Sequence, residues 1–353
     1  MKHVVTAVKG FVLVVCATST VQADPIRFED HRGVEISLPS PPERVATIVR
    51  SGPILFRAVG GTADNLVSVN QSFFARDYVA GLYGELLPEL GALPPSAAIE
   101  GFVPNIEALL ELNPDVVVQW MSEDIERLER VGLTAIGWNC CSEEDRRGYI
   151  TLTGYVTGEQ DRASTILALQ DSSVEAMRAH FSDMAPEENV TALYIDQFAD
   201  HQLRIIANGS QDLSLSGVIN AAADDTGQWW RSINLEQLFN WNPDIILIPP
   251  YAHDLTPQSF YDNELLQSLN AVRDKRVYRI PAFAGSPDAP EIYLSSAWLA
   301  VVAHGDEAAP DIRADIRDAY RTIYDIALTD EQLDHVLWTE QNGPSAGYSA
   351  SFN

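Results

Sequence analysis

At 353 residues the chain is long enough for two ordinary domains, and its apolar fraction of 46 % excludes global disorder. A formal net charge of −27 excludes nucleic acid and anionic lipid surfaces as natural partners, because both would repel it. The acidity reads as a solubility coat and names no ligand.

The first stretch, MKHVVTAVKGFVLVVCATSTVQADP, carries Lys2 and Lys9, then an apolar run from Gly10 to Ala17, then Val21-Gln22-Ala23. That is a basic start, a short apolar segment and a small-residue cleavage site, so residues 1–23 are expected to be a signal peptide cleaved after Ala23. The run is too short to span a bilayer. Val15 stands before Cys16 where a lipid-anchored precursor would have a small residue. The expected product is a monomer exported to the periplasm. Beyond the leader only the neighbours Cys140 and Cys141 remain, too few for a disulfide framework. They read as two small residues at a strand end, or as a strained vicinal disulfide.

In chain order, RVATIV (Arg44 to Val49) and LVSV (Leu66 to Val69) read as strands, with GPILFRAVGG as a short glycine-ended helix between them. NIEALLEL follows, with Ile106, Leu109, Leu110 and Leu112 at helical spacing. The next residues, Asn-Pro, stop that helix. VVV is then a β-branched run suited to a strand buried on both faces. SEDIERLERVG is a further helix and TAIGW (Thr134 to Trp138) a further strand. From about Gly158 to Met184 no proline intervenes and one apolar face persists, with Thr157 placed to cap. This predicts one helix of roughly 40 Å at ~1.5 Å per residue. VTALYI (Val190 to Ile195) and RVYRIP (Arg276 to Pro281) read as strands, and AWLAVVAH and DIRADIRDAYRTIY as closing helices.

One element occurs twice. NIEALLELNPDVVVQW returns as NLEQLFNWNPDIILIP at a constant offset of 129 residues, which carries Asn105 to Asn234, Pro114 to Pro243 and Asp115 to Asp244. Each copy is helix, stop, buried strand, which is half of a βαβ unit. The expected fold is therefore α/β: two Rossmann-like lobes joined by a single long α-helix, with a ligand cleft between them. The expected divisions are a first lobe over 24–141, a bridging helical segment over 142–186, and a second lobe with C-terminal helices over 187–353.

Ligands of open α/β sheets bind beyond the carboxyl ends of the strands. The residues placed there are Arg50, Ser51, Asn70, Gln71, Phe73, Phe74 and Trp120 in the first lobe, and Arg204, Asn208, Tyr251 and Phe283 in the second. This aromatic and amide-rich set suits a bulky, partly flat ligand, with Arg50 or Arg204 against an anionic group. No GxSxG elbow, P-loop or HExxH motif occurs. The histidines are scattered, and Cys140-Cys141 lacks the spacing of a zinc or redox pair. Neither catalytic residues, nor a bound metal, nor a cofactor is expected. An exported enzyme or a vicinal-dithiol redox protein is the alternative of a different class.

The leader, PNIEALLELNPDVVV, the bridging helix and NLEQLFNWNPDIILI together resemble the periplasmic substrate-binding proteins of ABC importers with a helical backbone. LLQSLNAVRDKRVYRIP and AWLAVVAHGDE…DAYRTIYDIALTDEQLDHVL are similar to the C-terminal parts of that family. The resemblance implies a carrier for an iron complex, foremost a ferric siderophore, delivered to a permease dimer in the inner membrane. Cobalamin, haem and molybdate or tungstate are the alternative cargoes; for haem, Tyr78, Tyr83 and Tyr251 offer axial oxygens. The resemblance further implies one permease-docking glutamate per lobe, which falls on Glu107 and Glu236.

Overall fold

The computed structural model describes residues 25–138, 142–182, 190–207, 211–222, 228–309 and 311–352. The expected leader, Cys140, Cys141 and Asn208 lie outside the described residues.

The first lobe opens with an antiparallel hairpin, β1 (Ile26–Glu29) and β2 (Glu35–Leu38). Its sheet holds β3 (Val45–Thr47), β4 (Leu66–Val69), β5 (Val116–Gln119) and β6 (Ala135–Gly137), all parallel, in the order β4-β3-β5-β6. Around it lie α1 (Gly52–Ala58), α2 (Tyr83–Leu86), α3 (Ile106–Leu112) and α4 (Ser122–Arg130). The second lobe is built on β7 (Val190–Ala199), β8 (Gln202–Ile206), β9 (Val218–Asn220), β10 (Trp230–Asn234), β11 (Ile245–Ile248) and β12 (Val277–Arg279). Its parallel strands run β9-β7-β11-β12, while β8 and β10 join antiparallel beyond β7. Numbered from each lobe's first parallel strand, the two sheets have the same order, second-first-third-fourth.

The doubled sequence element occupies the third parallel strand of each sheet and the helix before it. In the second lobe that helix is α8 (Leu235–Trp241). Asn105 Oδ1 caps α3 by accepting from the Ala108 N–H at 3.3 Å, and Asn234 Oδ1 caps α8 by accepting from Gln237 at 2.9 Å. Both helices end on a left-handed asparagine, Asn113 at φ 45° and Asn242 at φ 42°, before the proline that forbids continuation. The following aspartate then ties the third strand to the first. Asp115 accepts from the backbone N–H groups of Glu43 and Arg44, each at 2.9 Å. Asp244 accepts from the Thr191 N–H and hydroxyl. The repeated words thus do repeated work: cap, turn and strap.

Two helices lie between the sheets in sequence, α5 (Glu143–Thr157) and α6 (Gln160–Phe181). Gly158, at φ 78°, turns the chain so that they form an antiparallel hairpin. Arg147 accordingly reaches Asp171 at 2.9 Å, and a Cβ on Gly154 would stand 2.8 Å from the Ala163 methyl. Thr157 does not cap the bridging helix as expected. It ends α5, its hydroxyl donating to the carbonyls of Val59 and Thr153. The bridge is α6 alone. At one end Arg162 donates to Ala58 O at 2.6 Å in the first lobe, and at the other Phe181 lies 5.1 Å from the His304 ring.

The second lobe continues through α7 (Gln211–Leu215), α9 (Pro257–Tyr261) and α10 (Asn270–Arg273). The chain closes with α11 (Leu294–His304), α12 (Ile312–Tyr324), α13 (Asp330–Leu337), α14 (Thr339–Asn342) and α15 (Tyr348–Phe352). These closing helices join the lobes a second time. Ile54, Phe73 and Tyr83 of the first lobe share one continuous apolar core with Trp298, Tyr320, Tyr324 and Tyr348. Smaller cores fill one face of each sheet, around Leu109 and Ile125 in the first lobe and around Leu238 and Ile246 in the second. No helix among the described residues is long and apolar enough to cross a membrane.

Candidate functional site

A cavity of ≈ 390 Å³ opens between the lobes at the carboxyl ends of both sheets. Arg50 follows β3, Trp120 follows β5, Tyr251 follows β11 and Ile280 follows β12, and all four line it. Phe102, Tyr149, Trp229 and Trp230 complete an aromatic wall. Phe102 meets Trp120 edge-on with centroids 5.3 Å apart. The Phe102 segment is held by carboxamides at the strand ends: Asn70 donates to Gly101 O at 2.7 Å and Gln119 to Phe102 O at 2.8 Å. The Trp120 indole N–H is buried at the cavity without an acceptor among the described residues.

Charge in the cavity is unevenly compensated. Arg50 donates to the carboxylate of Asp77, which is fully buried. Burial pushes the Asp77 carboxyl above its ordinary range, and the neighbouring Arg50 charge opposes that shift. Arg76 is different. Its guanidinium lies 4.3 Å from the Tyr251 ring centroid and 6.0 Å from that of Trp230. Its Nε is buried without an acceptor, and no carboxylate or hydrogen-bond partner reaches the side chain among the described residues. Burial, followed by repulsion from Arg50, lowers its proton affinity against the opposing pull of Asp77 and Asp196. Arg76 is therefore a half-buried cation held between rings, with no hydrogen-bonded carboxylate among the described residues, while Asp77 and Asp196 act on it from farther off.

The opposite wall is formed by the segment after β12. Asp288 lines the cavity and accepts from the Ser51 hydroxyl at 3.0 Å across the lobes. Burial raises the Asp288 carboxyl, as it raises that of Asp212, which accepts from the Tyr194 hydroxyl. Behind the wall, Glu291 is fully buried and accepts from Tyr83 at 2.9 Å and Tyr324 at 2.6 Å. Burial pushes the Glu291 carboxyl up to about 7.

Of the residues placed at the cleft from sequence, the structure brings Arg50, Trp120 and Tyr251 together around the cavity. Ser51 reaches it only through Asp288. Asn70 and Gln71 are spent on the backbone, Gln71 donating to Ile99 O. Phe73 and Phe283 are fully buried in the common core, and Phe74 packs against it. Arg204 does not line the cavity. It lies on antiparallel β8 and pairs with Asp196 at 2.9 Å, beside an irregularity in β7. Tyr83, one of the three tyrosines weighed as haem ligands, is buried against Glu291. Arg76, Arg146, Arg147, Trp229 and Asp288 line the site without having been anticipated. Glu107 and Glu236 are exposed in the first turns of α3 and α8.

Among the described residues no cluster of histidine, cysteine and carboxylate side chains could hold a metal ion. The arrangement can enclose an organic body and neutralise negative charge.

Comparison with known proteins agrees with this geometry. The family model described as periplasmic binding protein matches residues 101–284. The iron(3+)-hydroxamate-binding protein FhuD of Bacillus subtilis is 22 % identical over 75 % of this chain and 81 % of its own length. The molybdate-binding protein MolA of Haemophilus influenzae is 23 % identical over 69 % of this chain and 75 % of its own. The crystal structure of a periplasmic solute-binding protein from Veillonella parvula superposes with a TM-score of 0.79, at 22 % identity, over 91 % of this chain and 99 % of that one. With two matching α/β lobes, one bridging helix and a family match over half its length, the chain belongs to the periplasmic binding proteins of ABC importers.

Proposed function

We propose that the chain captures an anionic iron complex, a ferric siderophore, in the periplasm and delivers it to an inner-membrane permease dimer. The observation that carries this reading is Arg76, a half-buried cation at the cavity that no carboxylate contacts among the described residues. A partly desolvated cation with no carboxylate in contact favours an anion that arrives with the cargo. The cavity of ≈ 390 Å³ with its aromatic wall favours a chelate with an organic body. A bare molybdate would leave most of that space unfilled. The similarity to an iron(3+)-hydroxamate-binding protein supports iron as the metal. Glu107 and Glu236 serve as the docking carboxylates, one at the same place in each lobe. Both helices run antiparallel to the strands that follow them, so both carboxylates stand at the cleft's mouth.

Trp120, Trp229 and Trp230 make binding visible. Tryptophan fluorescence should be quenched by an anionic ferric catecholate or ferric citrate, and not by molybdate. If no ferric chelate quenches, the iron reading is wrong. Quenching by molybdate alone would transfer the site to oxyanions.

A further inference from the structure

The 129-residue repeat matches a second pair of exposed side chains, Leu110 and Phe239. Leu110 is 47 % exposed and Phe239 36 %. Each lies three residues beyond the docking glutamate of its lobe, one turn along the same helix face. The preceding residues, Leu109 and Leu238, are fully buried and already anchor the two helices. An outward apolar side chain adds nothing to either lobe's core, yet both copies carry one. Beside the first helix Ile99 and Val103 are also exposed, held together by the Ile99 N–H donating to Val103 O at 2.9 Å. Leading into the second helix, exposed Trp230 stands at the rim of the cavity. Each side of the mouth therefore presents a carboxylate next to an apolar knob.

The occupant follows from charge and symmetry. A net charge of −27 disfavours both an anionic bilayer and a second copy of this chain. Two equal patches, one per lobe, fit a partner that offers the same socket twice. We infer that Leu110 and Phe239 are paired apolar docking residues that seat, beside Glu107 and Glu236, in two apolar, basic-rimmed sockets of a two-fold membrane permease. The inference rests on the docking reading above. It adds that apolar contact, and not charge alone, holds the complex.

The test uses right-side-out inner-membrane vesicles from the organism that makes this chain, and liposomes of its extracted lipids. Each is titrated with fluorescently labelled full-length protein. Leu110→Ser with Phe239→Ser should weaken vesicle binding roughly tenfold, with thermal melting and chelate affinity unchanged. Val131→Ser with Leu265→Ser, equally exposed but away from the mouth, should bind like the parent. A photo-crosslinker at positions 110 and 239 should join a polytopic membrane subunit from both lobes. If the serine pair binds like the parent while Glu107→Lys with Glu236→Lys is weakened, the inference fails and the docking reading stands. If neither pair matters, both fail. Equal binding to lipid liposomes, or crosslinks only to a second copy, also overturns the inference.

Discussion

The Asp244 carboxylate accepts twice from Thr191, from its N–H at 3.0 Å and from its hydroxyl at 2.7 Å, and the Asp244 N–H donates back to the Thr191 carbonyl at 3.0 Å. This pair fixes the first and third parallel strands of the second lobe before the register begins. Asp244→Ala leaves a half-buried N–H and hydroxyl without their acceptor and should cost about 2 kcal/mol. Urea unfolding should report that loss, while chelate affinity stays within twofold because the strap lies at the end of the sheet away from the cavity.

Arg76 sets function against stability. Arg76→Met removes a half-buried cation with no carboxylate in contact among the described residues and keeps apolar contact with Tyr251 and Trp230. The variant should melt higher than the parent and bind anionic ferric chelates at least tenfold more weakly. Calorimetry and fluorescence titration on the same preparation check both halves. A variant that melts lower would mean that the guanidinium stabilises the empty protein.

Arg50→Ala strands the buried Asp77 carboxylate. Removing one partner of a buried ion pair costs about 3 kcal/mol or more. Asp77 is already raised by burial, and loss of Arg50 raises it further. The folded state then holds the proton more tightly than the unfolded chain, so stability falls as pH rises. The variant should recover much of its melting temperature between pH 8 and pH 5, relative to the parent. A constant gap at all pH values would show that Asp77 is not the cause.

Glu291 supplies a second pH dependence. Its folded value of about 7 lies above the ordinary 4.5, because burial outweighs the hydroxyls of Tyr324 and Tyr83. The stability it confers is full below about pH 4.5 and is lost as pH rises through about 7. Glu291→Gln cannot ionise, so its melting temperature should gain on the parent between pH 5 and pH 8. Parallel melting curves would refute the assignment.

The two-lobe plan was legible because the repeated element does local work. Asn105 and Asn234 cap, Asn113 and Asn242 turn, and Pro114 and Pro243 stop the helices, all through short-range geometry that residue type reports. Arg50, Trp120 and Tyr251 were legible for a similar reason, since a residue just beyond a parallel strand faces the mouth. Arg76 was not. It lies in the π-helical turn Phe74–Tyr78, where neither the strand nor the α-helical period tells which way a side chain points. Trp229 leads into and Trp230 opens β10, an antiparallel strand with no helix–strand signal before it. Phe73 and Phe283 misled because an apolar residue after a strand can turn into a core as readily as into a cleft, and here the closing helices supply that core.

The shared core behind the cleft has a mechanical consequence. Jaws cast in one piece resist yawning, which favours cargo meeting a mouth already shaped for it. On the docking proposed above, a permease holding both lobes would be placed to strain the rims and ease release.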